Sequence, residues 1–260
     1  MNLRNSLIVI PARGGSVGIR NKNLQLVHGL TLVQRTFEHA KFMSNGKIPI
    51  CISTDSTEIL ESLNAKFDLG VDINSLLVNS LSNCDSIYVH FRSVEKASSS
   101  TLITENLFDI FRLIRGQGFS INGIVLMQPT SPFRSKAELV EIREILAVAK
   151  DERTSLVSMT KVEDSHPARM YRVTRRSRAK RLRGFRNDYH KRRQDLPPVY
   201  IRDGGIYFIG AKLVRDKLQY SKKPTVYSRQ FPWSLNIDSE IDLLVAQNVP
   251  REQVAQDPAS

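Results

Sequence analysis

The chain has 260 residues, 41% hydrophobic and 25% charged, which is enough apolar material for one main domain of ~250 residues with a small appendage. No stretch approaches the ~20 apolar residues of a membrane helix, and the early apolar run is too short for a signal-peptide core, so a cytoplasmic protein is expected. The two cysteines, Cys51 and Cys84, form no Cys-x-x-Cys pair, which argues against a disulfide framework or zinc site, and the formal charge of +12 is concentrated in one place: residues 172–186 hold eight basic residues and no acid, leaving +4 for the rest.

Residues 7–10 are a continuous run of β-formers stopped by Pro11, the pattern of a buried strand. Residues 30–43 place apolar side chains at helical spacing, residues 48–53 form a second buried strand, and residues 57–65 a second helix. A helix over 102–114, a strand over 123–127, a helix over 137–148 and a strand over 155–159 follow. This alternation predicts an α/β domain with a mainly parallel sheet and helices on both faces. Residues 161–201 are polar, basic and without clear periodicity, and are expected to project from the sheet as an insertion. A strand returns at 205–209, with a short strand end at 235–238 and a closing helix at 241–247. Residues 248–260 look like loose chain. The expected organisation is a domain of residues 1–160 and 202–250, an arm of 161–201 and a flexible tail of 251–260.

Ligands of such sheets sit beyond the carboxyl ends of the strands, and the polar signatures fall there. Residues 13–23 read RGGSVGIRNKN, directly after the first strand. Glycines let backbone amides approach phosphate oxygens, while Arg13, Arg20 and Lys22 add positive charge. The pattern is neither a Walker loop nor a dinucleotide fingerprint, and a solvated turn is its bland alternative. Residues 128–134, QPTSPFR, offer side-chain hydrogen bonds on a stiff backbone, or simply form a strand-to-helix turn. Asp238, with Asn236 before it and Asp242 a helical turn later, suits a magnesium ion that also binds nucleotide phosphates, although acids at a helix start also answer the helix dipole. Residues 92–101, RSVEKASSST, could line a nucleotide pocket or cap the following helix.

Taken together, PARGGS with a downstream Lys-Asn, STD, R…E…AS, QPTSPFR, DGGIYFIG and NIDSEID occur in the order found in acylneuraminate cytidylyltransferases, the CMP-sialic acid or CMP-nonulosonate synthetases, which this sequence resembles from Leu7 to about Gln247. Kdo cytidylyltransferases share the loop but usually lack QPTSP. The resemblance implies a three-layer Rossmann-like nucleotidyltransferase fold with a projecting dimerisation arm, and hence a homodimer. It implies transfer of CMP from CTP to the anomeric hydroxyl of an acidic nine-carbon sugar, of the N-acetylneuraminate, legionaminate or pseudaminate type, or to Kdo, with Mg2+ as cofactor.

By the match, Arg13 and Lys22 are the catalytic cations. Arg13, Gly14, Gly15, Ser16 and Asn23 hold the triphosphate, and Arg92, Ala97 and Ser98 contact CTP. Gln128, Arg193 and Tyr207 face the sugar, and Asp238 with Asn236 holds the metal. Four positions depart from the family pattern: Val17 stands where Lys is common, Ser99 where Asp is frequent, Asp203 replaces the usual Asn before Gly204, and Asn236 replaces the first Asp of an Asp-x-Asp pair. The last raises the alternative of a catalytically degenerate nucleotide-binding relative. For the basic run at 172–186, a solvated charged loop is the plain reading, with attraction to nucleic acid or an anionic surface as the other.

Overall fold

The computed structural model describes residues 5–15, 18–63, 77–82, 85–93, 101–148, 151–182, 184, 188 and 190–260. Ser16, Val17, Cys84, Ala97, Ser98 and Ser99, the end of the helix expected at 57–65 and part of the basic run lie outside the described residues.

In chain order the elements are β1 (Ser6–Pro11), β2 (Leu26–Val27), β3 (Leu30–Thr31), α1 (Leu32–Ser44), β4 (Ile50–Thr54), α2 (Thr57–Ser62), β5 (Leu77–Ser82), β6 (Asp85–Phe91), α3 (Ile103–Gly116), β7 (Gly123–Met127), α4 (Lys136–Ala147), β8 (Ser155–Lys161), β9 (Tyr171–Val173), β10 (Ala179–Arg181), β11 (Tyr200–Gly210), α5 (Ala211–Arg215), β12 (Thr225–Arg229) and α6 (Glu240–Asn248). The main sheet runs β12-β8-β11-β7-β1-β4-β6-β5. β7, β1, β4 and β6 are mutually parallel, and β11 lies antiparallel between β7 and β8. The expected α/β class and mainly parallel sheet are what is found.

The two-residue period of β1 divides the core. Ile8 and Ile10 join Ile50, Ile52, Val125 and Met127 beneath α1 and α4. Leu7 and Val9 join Cys51, Leu126, Tyr207 and Ile209 beneath α3 and α5. Helices on both faces of one sheet make the Rossmann-like three-layer arrangement. Local chemistry sets the helix ends: Thr31 and Gln34 form a reciprocal capping box at the start of α1, and Asn45 in the left-handed region stops it. A third cluster, with Ile19, Val27, Leu32, Phe133, Ile237, Ala246 and Val254, ties the loop after β1 to α6 and to the C-terminal segment.

Three sequence readings need correction. Residues 235–238 are not a strand; the segment is held by Ile237 N–H donating to Thr130 O at 2.7 Å. β6 and β12 carry no long apolar run and go unread in the sequence, although β6 pairs with β4 over Ile87–Phe91 and β12 with β8 along its whole length. Residues 251–260 are not a flexible tail. A 3-10 turn at Arg251–Val254 leads to Asp257, 1% exposed, whose carboxylate accepts from Arg35 Nη2 at 3.0 Å and from His39 Nε2 at 2.7 Å. Buried cations demand a counter-charge, and the segment supplies it.

This tail contact predicts acid sensitivity. His39 is fully buried, and burial pushes its pKa down to about 4, against 6.5 when exposed. An unfolded chain therefore binds a proton that the folded chain refuses, so stability is full above pH 6.5 and falls as pH drops toward 4. The 2.5-unit gap corresponds to about 3 kcal/mol. Asp257 acts in the same direction at lower pH: burial raises its pKa, but His39 and Arg35 more than offset this and hold the carboxyl below its usual range. Urea unfolding at pH 7 and pH 4 measures the loss. A stability curve flat across that window contradicts this assignment.

Between β8 and β11 the chain runs outside the main sheet. The β9–β10 hairpin and a 3-10 turn at Arg193–Asp195 form there, on strands that pair out to Lys161 opposite Tyr200. Among the described residues, no helix is long and apolar enough to cross a membrane.

Candidate active site

The loop after β1 is shaped by contacts that only glycine permits. A Cβ on Gly14 would stand 2.9 Å from Ser56 Cβ, and one on Gly18 would stand 2.9 Å from the carbonyl oxygen of Asp238. The first contact seats the loop on the end of β4, where Gly14 N–H donates to Asp55 Oδ1 at 2.8 Å. The second brings the far side of the loop against the segment before α6. Gly15 has open space around it.

Asn23, expected to face a nucleotide, is 7% exposed, and its amide donates to Arg13 O at 2.7 Å. It therefore braces the loop from within. Lys22 Nζ donates to Ile237 O at 2.9 Å and lies 3.4 Å from Asp238 Oδ1. One cation thus links the phosphate-type loop to the expected metal residue, 216 positions away.

Arg92 follows β6, the next parallel strand after β4. Its backbone N–H donates to Thr54 O and its Nη2 to Ser53 O at 2.8 Å. Arg92 is 7% exposed, and its buried Nε has no hydrogen-bond partner among the described residues. Burial lowers its pKa, the charge of Asp55 opposes that shift, and Arg13 adds to it. Arg13, Asp55 and Arg92 therefore share one electrostatic neighbourhood at the carboxyl ends of β1, β4 and β6. A buried arginine N–H with no acceptor among the described residues, near Arg13 at the strand ends, suits an anionic ligand.

The second half of the site lies around Gly204, in the irregular stretch of β11 between Arg202 and Tyr207. Gly204 has φ +76°, and a Cβ there would stand 3.1 Å from Gln128 Oε1 and 3.2 Å from Asn236 Oδ1. Gln128 and Asn236 thus meet over the glycine. Asn236 Nδ2 donates to Asp238 Oδ2 at 2.6 Å, while its buried Oδ1 has no partner among the described residues. The Asp238 side chain is 72% exposed. Among the described residues, no cluster of three or more His, Cys, Asp or Glu could hold a metal ion. An exposed carboxylate with an adjacent amide still fits magnesium, which keeps several waters and takes one or two carboxylates plus substrate phosphates. Asp238 is the donor that fits. Asn236, as placed, holds Asp238 by its amide and turns its oxygen toward Gly204. Asp242 accepts from Asp238 N–H, Ser239 N–H and Ser239 Oγ, capping α6.

Two expected sugar residues lie farther off. Tyr207 pairs opposite Leu126, two residues before Gln128, and is 4% exposed in the core face beneath α3 and α5. Burial raises its pKa. Arg193 sits in the arm, ion-paired with Asp164 at 2.6 Å and Glu163 at 3.2 Å. It lines a cleft of about 510 Å³ with Lys161, His166 and Leu196.

Sequence reasoning assigned no role to four residues that build the site. Asp55 was visible as part of STD at a strand end. Arg134 was visible in QPTSPFR; it is fully buried, and its Nη2 donates to Gln128 O at 2.8 Å and Gly205 O at 2.7 Å. Asp203 accepts from Ser158 Oγ and from Gly205 N–H, shaping the bulge, and Arg229 braces it at 3.3 Å. Asp203 was visible in DGGIYFIG as a departure from the usual Asn, while Arg229 carries no local signal.

A cytidylyltransferase family model matches residues 7–83. The chain is 26% identical over 242 residues to an N-acylneuraminate cytidylyltransferase of Streptococcus agalactiae serotype III, covering 92% of this chain and 51% of that protein. It is 25% identical over 251 residues to a CMP-N,N'-diacetyllegionaminic acid synthase of Legionella pneumophila, covering 94% and 95%. The chain thus spans about half the length of some curated relatives and nearly all of another. The structure of a 4-diphosphocytidyl-2C-methyl-D-erythritol synthase from Anaerococcus prevotii superposes with a TM-score of 0.58 at 12% identity, covering 93% and 94%, which shows a shared fold. By motif order, by family model and by similarity along nearly its whole length, the chain resembles the acylneuraminate cytidylyltransferases.

Proposed function

We propose that this chain is a cytidylyltransferase that transfers CMP from CTP to the anomeric hydroxyl of a nonulosonic acid. The observation that carries the reading is the bridge by Lys22 from the glycine loop to Ile237 and Asp238, which joins a phosphate cradle to a metal-type carboxylate in one pocket. The hydroxyl oxygen bonds to the α-phosphorus, the bond from that phosphorus to the bridging oxygen breaks, and pyrophosphate departs as the hydroxyl proton is released.

Such transfer needs little covalent help from the protein; positioning and charge neutralisation supply most of the acceleration. Arg13 and the amides of Gly14 and Gly15 bind the triphosphate, Lys22 neutralises charge on its far side, and Arg92 offers its unpartnered N–H. Ser16, Ala97 and Ser98 complete the nucleotide set, and Gln128 orients the sugar. Mg2+ held by Asp238 would neutralise charge on the departing phosphates. Arg193 completes the sugar site from the arm, through which two copies associate as a homodimer. The protein acts in the cytoplasm.

Incubation with CTP, Mg2+ and a panel of N-acetylneuraminate, legionaminate, pseudaminate and Kdo tests the reading. Pyrophosphate release with one of the nine-carbon sugars is expected. Silence with all four eliminates it and leaves a nucleotide-binding relative. A legionaminate-type acceptor is the favoured second reading, because the Legionella relative matches this chain end to end while the Streptococcus relative is matched over half its length.

A further inference from the structure

The C-terminal segment reaches the floor of the sugar pocket through a buried chain of hydrogen bonds. Asp257 Oδ1 accepts from His39 Nε2 at 2.7 Å, and Oδ2 accepts from Arg134 N–H at 3.3 Å. The other ring nitrogen, His39 Nδ1, faces Arg134 Nη1 at 3.0 Å. Arginine cannot accept, so Nδ1 is the bare nitrogen and Nε2 carries the proton that Asp257 takes. Burial, which keeps His39 neutral, agrees with that tautomer. Arg134 then spends its remaining donors on carbonyls: Ser131 O at 2.9 Å, Gln128 O at 2.8 Å, and Gly205 O at 2.7 and 3.2 Å. All three side chains are at most 1% exposed.

Gln128 O and Gly205 O belong to two antiparallel neighbours, at the point where β7 ends and β11 bulges. Arg134 clamps them together. That clamp fixes the gap over Gly204 in which Gln128 and Asn236 meet. Arg134 itself has no freedom while His39 and Asp257 hold its Nη1 and its backbone, and it carries its own positive charge beside that of Arg229.

We infer that Asp257 is a positioning residue for the acceptor pocket: through His39 and Arg134 the C-terminal segment sets the distance between Gln128 and Gly205. It touches no substrate. The inference rests on the proposed function for its catalytic consequence, and on geometry alone for its structural one. It assigns to residues 251–260 a role in sugar selection that the nucleotide half of the site does not share, because there Gly14 N–H is held by Asp55 and Arg92 by Ser53 O, both at the end of β4.

Two variants test it. Asp257→Asn removes the carboxylate at constant shape. His39→Gln leaves an amide to donate to Asp257 but takes away the acceptor for Arg134. Amide hydrogen exchange is followed in peptides covering residues 128–134, 200–210 and 5–15. Exchange at 128–131 and 204–206 is expected to rise roughly tenfold in either variant, with 5–15 unchanged, and the sugar KM to rise about tenfold with the CTP KM within twofold. The double variant is expected to match Asp257→Asn, which also frees Arg35, rather than to sum the two singles. If Asp257→Asn does not fold, His39→Gln carries the test. Uniform loosening, no loosening, or equal rises in both KM values overturn the inference. A protein with no turnover on any sugar but with the local exchange pattern retains the clamp and loses the proposed function, so the two failures are separable.

Discussion

Arg13→Ala is expected to lower kcat/KM for CTP by about 10²–10³-fold while melting at the wild-type temperature. The rate loss follows from where the charge lies. Arg13 stands at the end of β1, in the same neighbourhood as Arg92, whose pKa it lowers by repulsion. Asp55 offsets part of the repulsion between these like charges, and a bound phosphate would add further countercharge. Removing one therefore takes away phosphate neutralisation without taking away a structural contact. The loop keeps its shape because its anchors use main-chain atoms: Asn23 holds the carbonyl of Arg13, and Asp55 holds the amide of Gly14. Steady-state kinetics together with thermal melting make the comparison. A variant with near-normal rate removes Arg13 from the site, and one that melts early shows that the side chain serves the fold.

The sequence exposes those parts of the molecule whose cause is local. β7 is found over residues 123–127 as expected, and β1 within a residue of its expected ends, because each is an unbroken apolar run buried on both faces. The glycines of residues 13–18 mark a close approach, but what approaches, Ser56 in one case and the Asp238 carbonyl in the other, is set by β4 and by a segment over 200 residues later. Asn23 shows the limit of motif reading. A motif says that a residue is needed, and here the need is met by bracing a carbonyl. The C-terminal segment escapes altogether, since the side-chain partners of Asp257, His39 and Arg35, are 218 and 222 positions away and nothing in its own composition reveals them. β12 is missed for the same reason: two of its five residues are apolar or aromatic, and its place is decided by pairing with β8.

Arg229→Leu is expected to destabilise the fold by about 3–5 kcal/mol, the largest effect on stability of any single change considered. Arg229 is 3% exposed and lies 3.0 Å from Glu138 Oε1 through Nη2 and 3.3 Å from Asp203 Oδ2 through Nη1. Nη2 also donates to Phe133 O at 2.7 Å and Nη1 faces Ser131 Oγ at 3.2 Å, so the guanidinium joins the QPTSPFR segment to the bulge of β11. A Cβ at Gly205 would collide with that guanidinium, which is why the bulge runs through glycine at this point. Leucine fills part of the space but leaves Glu138 and Asp203 buried without their cation. Glu138 already has its pKa raised by burial, with Arg229 the first force opposing the rise. Without Arg229 the rise is larger, and the sign of the pH dependence follows. A carboxyl whose folded pKa exceeds its unfolded value of 4.5 favours folding below that value, and the advantage is lost as pH climbs through the folded pKa. The gap between wild type and Arg229→Leu is therefore wider at higher pH and narrows as pH falls and the orphaned Glu138 carboxyl takes up its proton. Urea unfolding of both proteins as a function of pH measures it. A gap below 1 kcal/mol, or one independent of pH, shows that the two carboxylates do not depend on Arg229 for their burial.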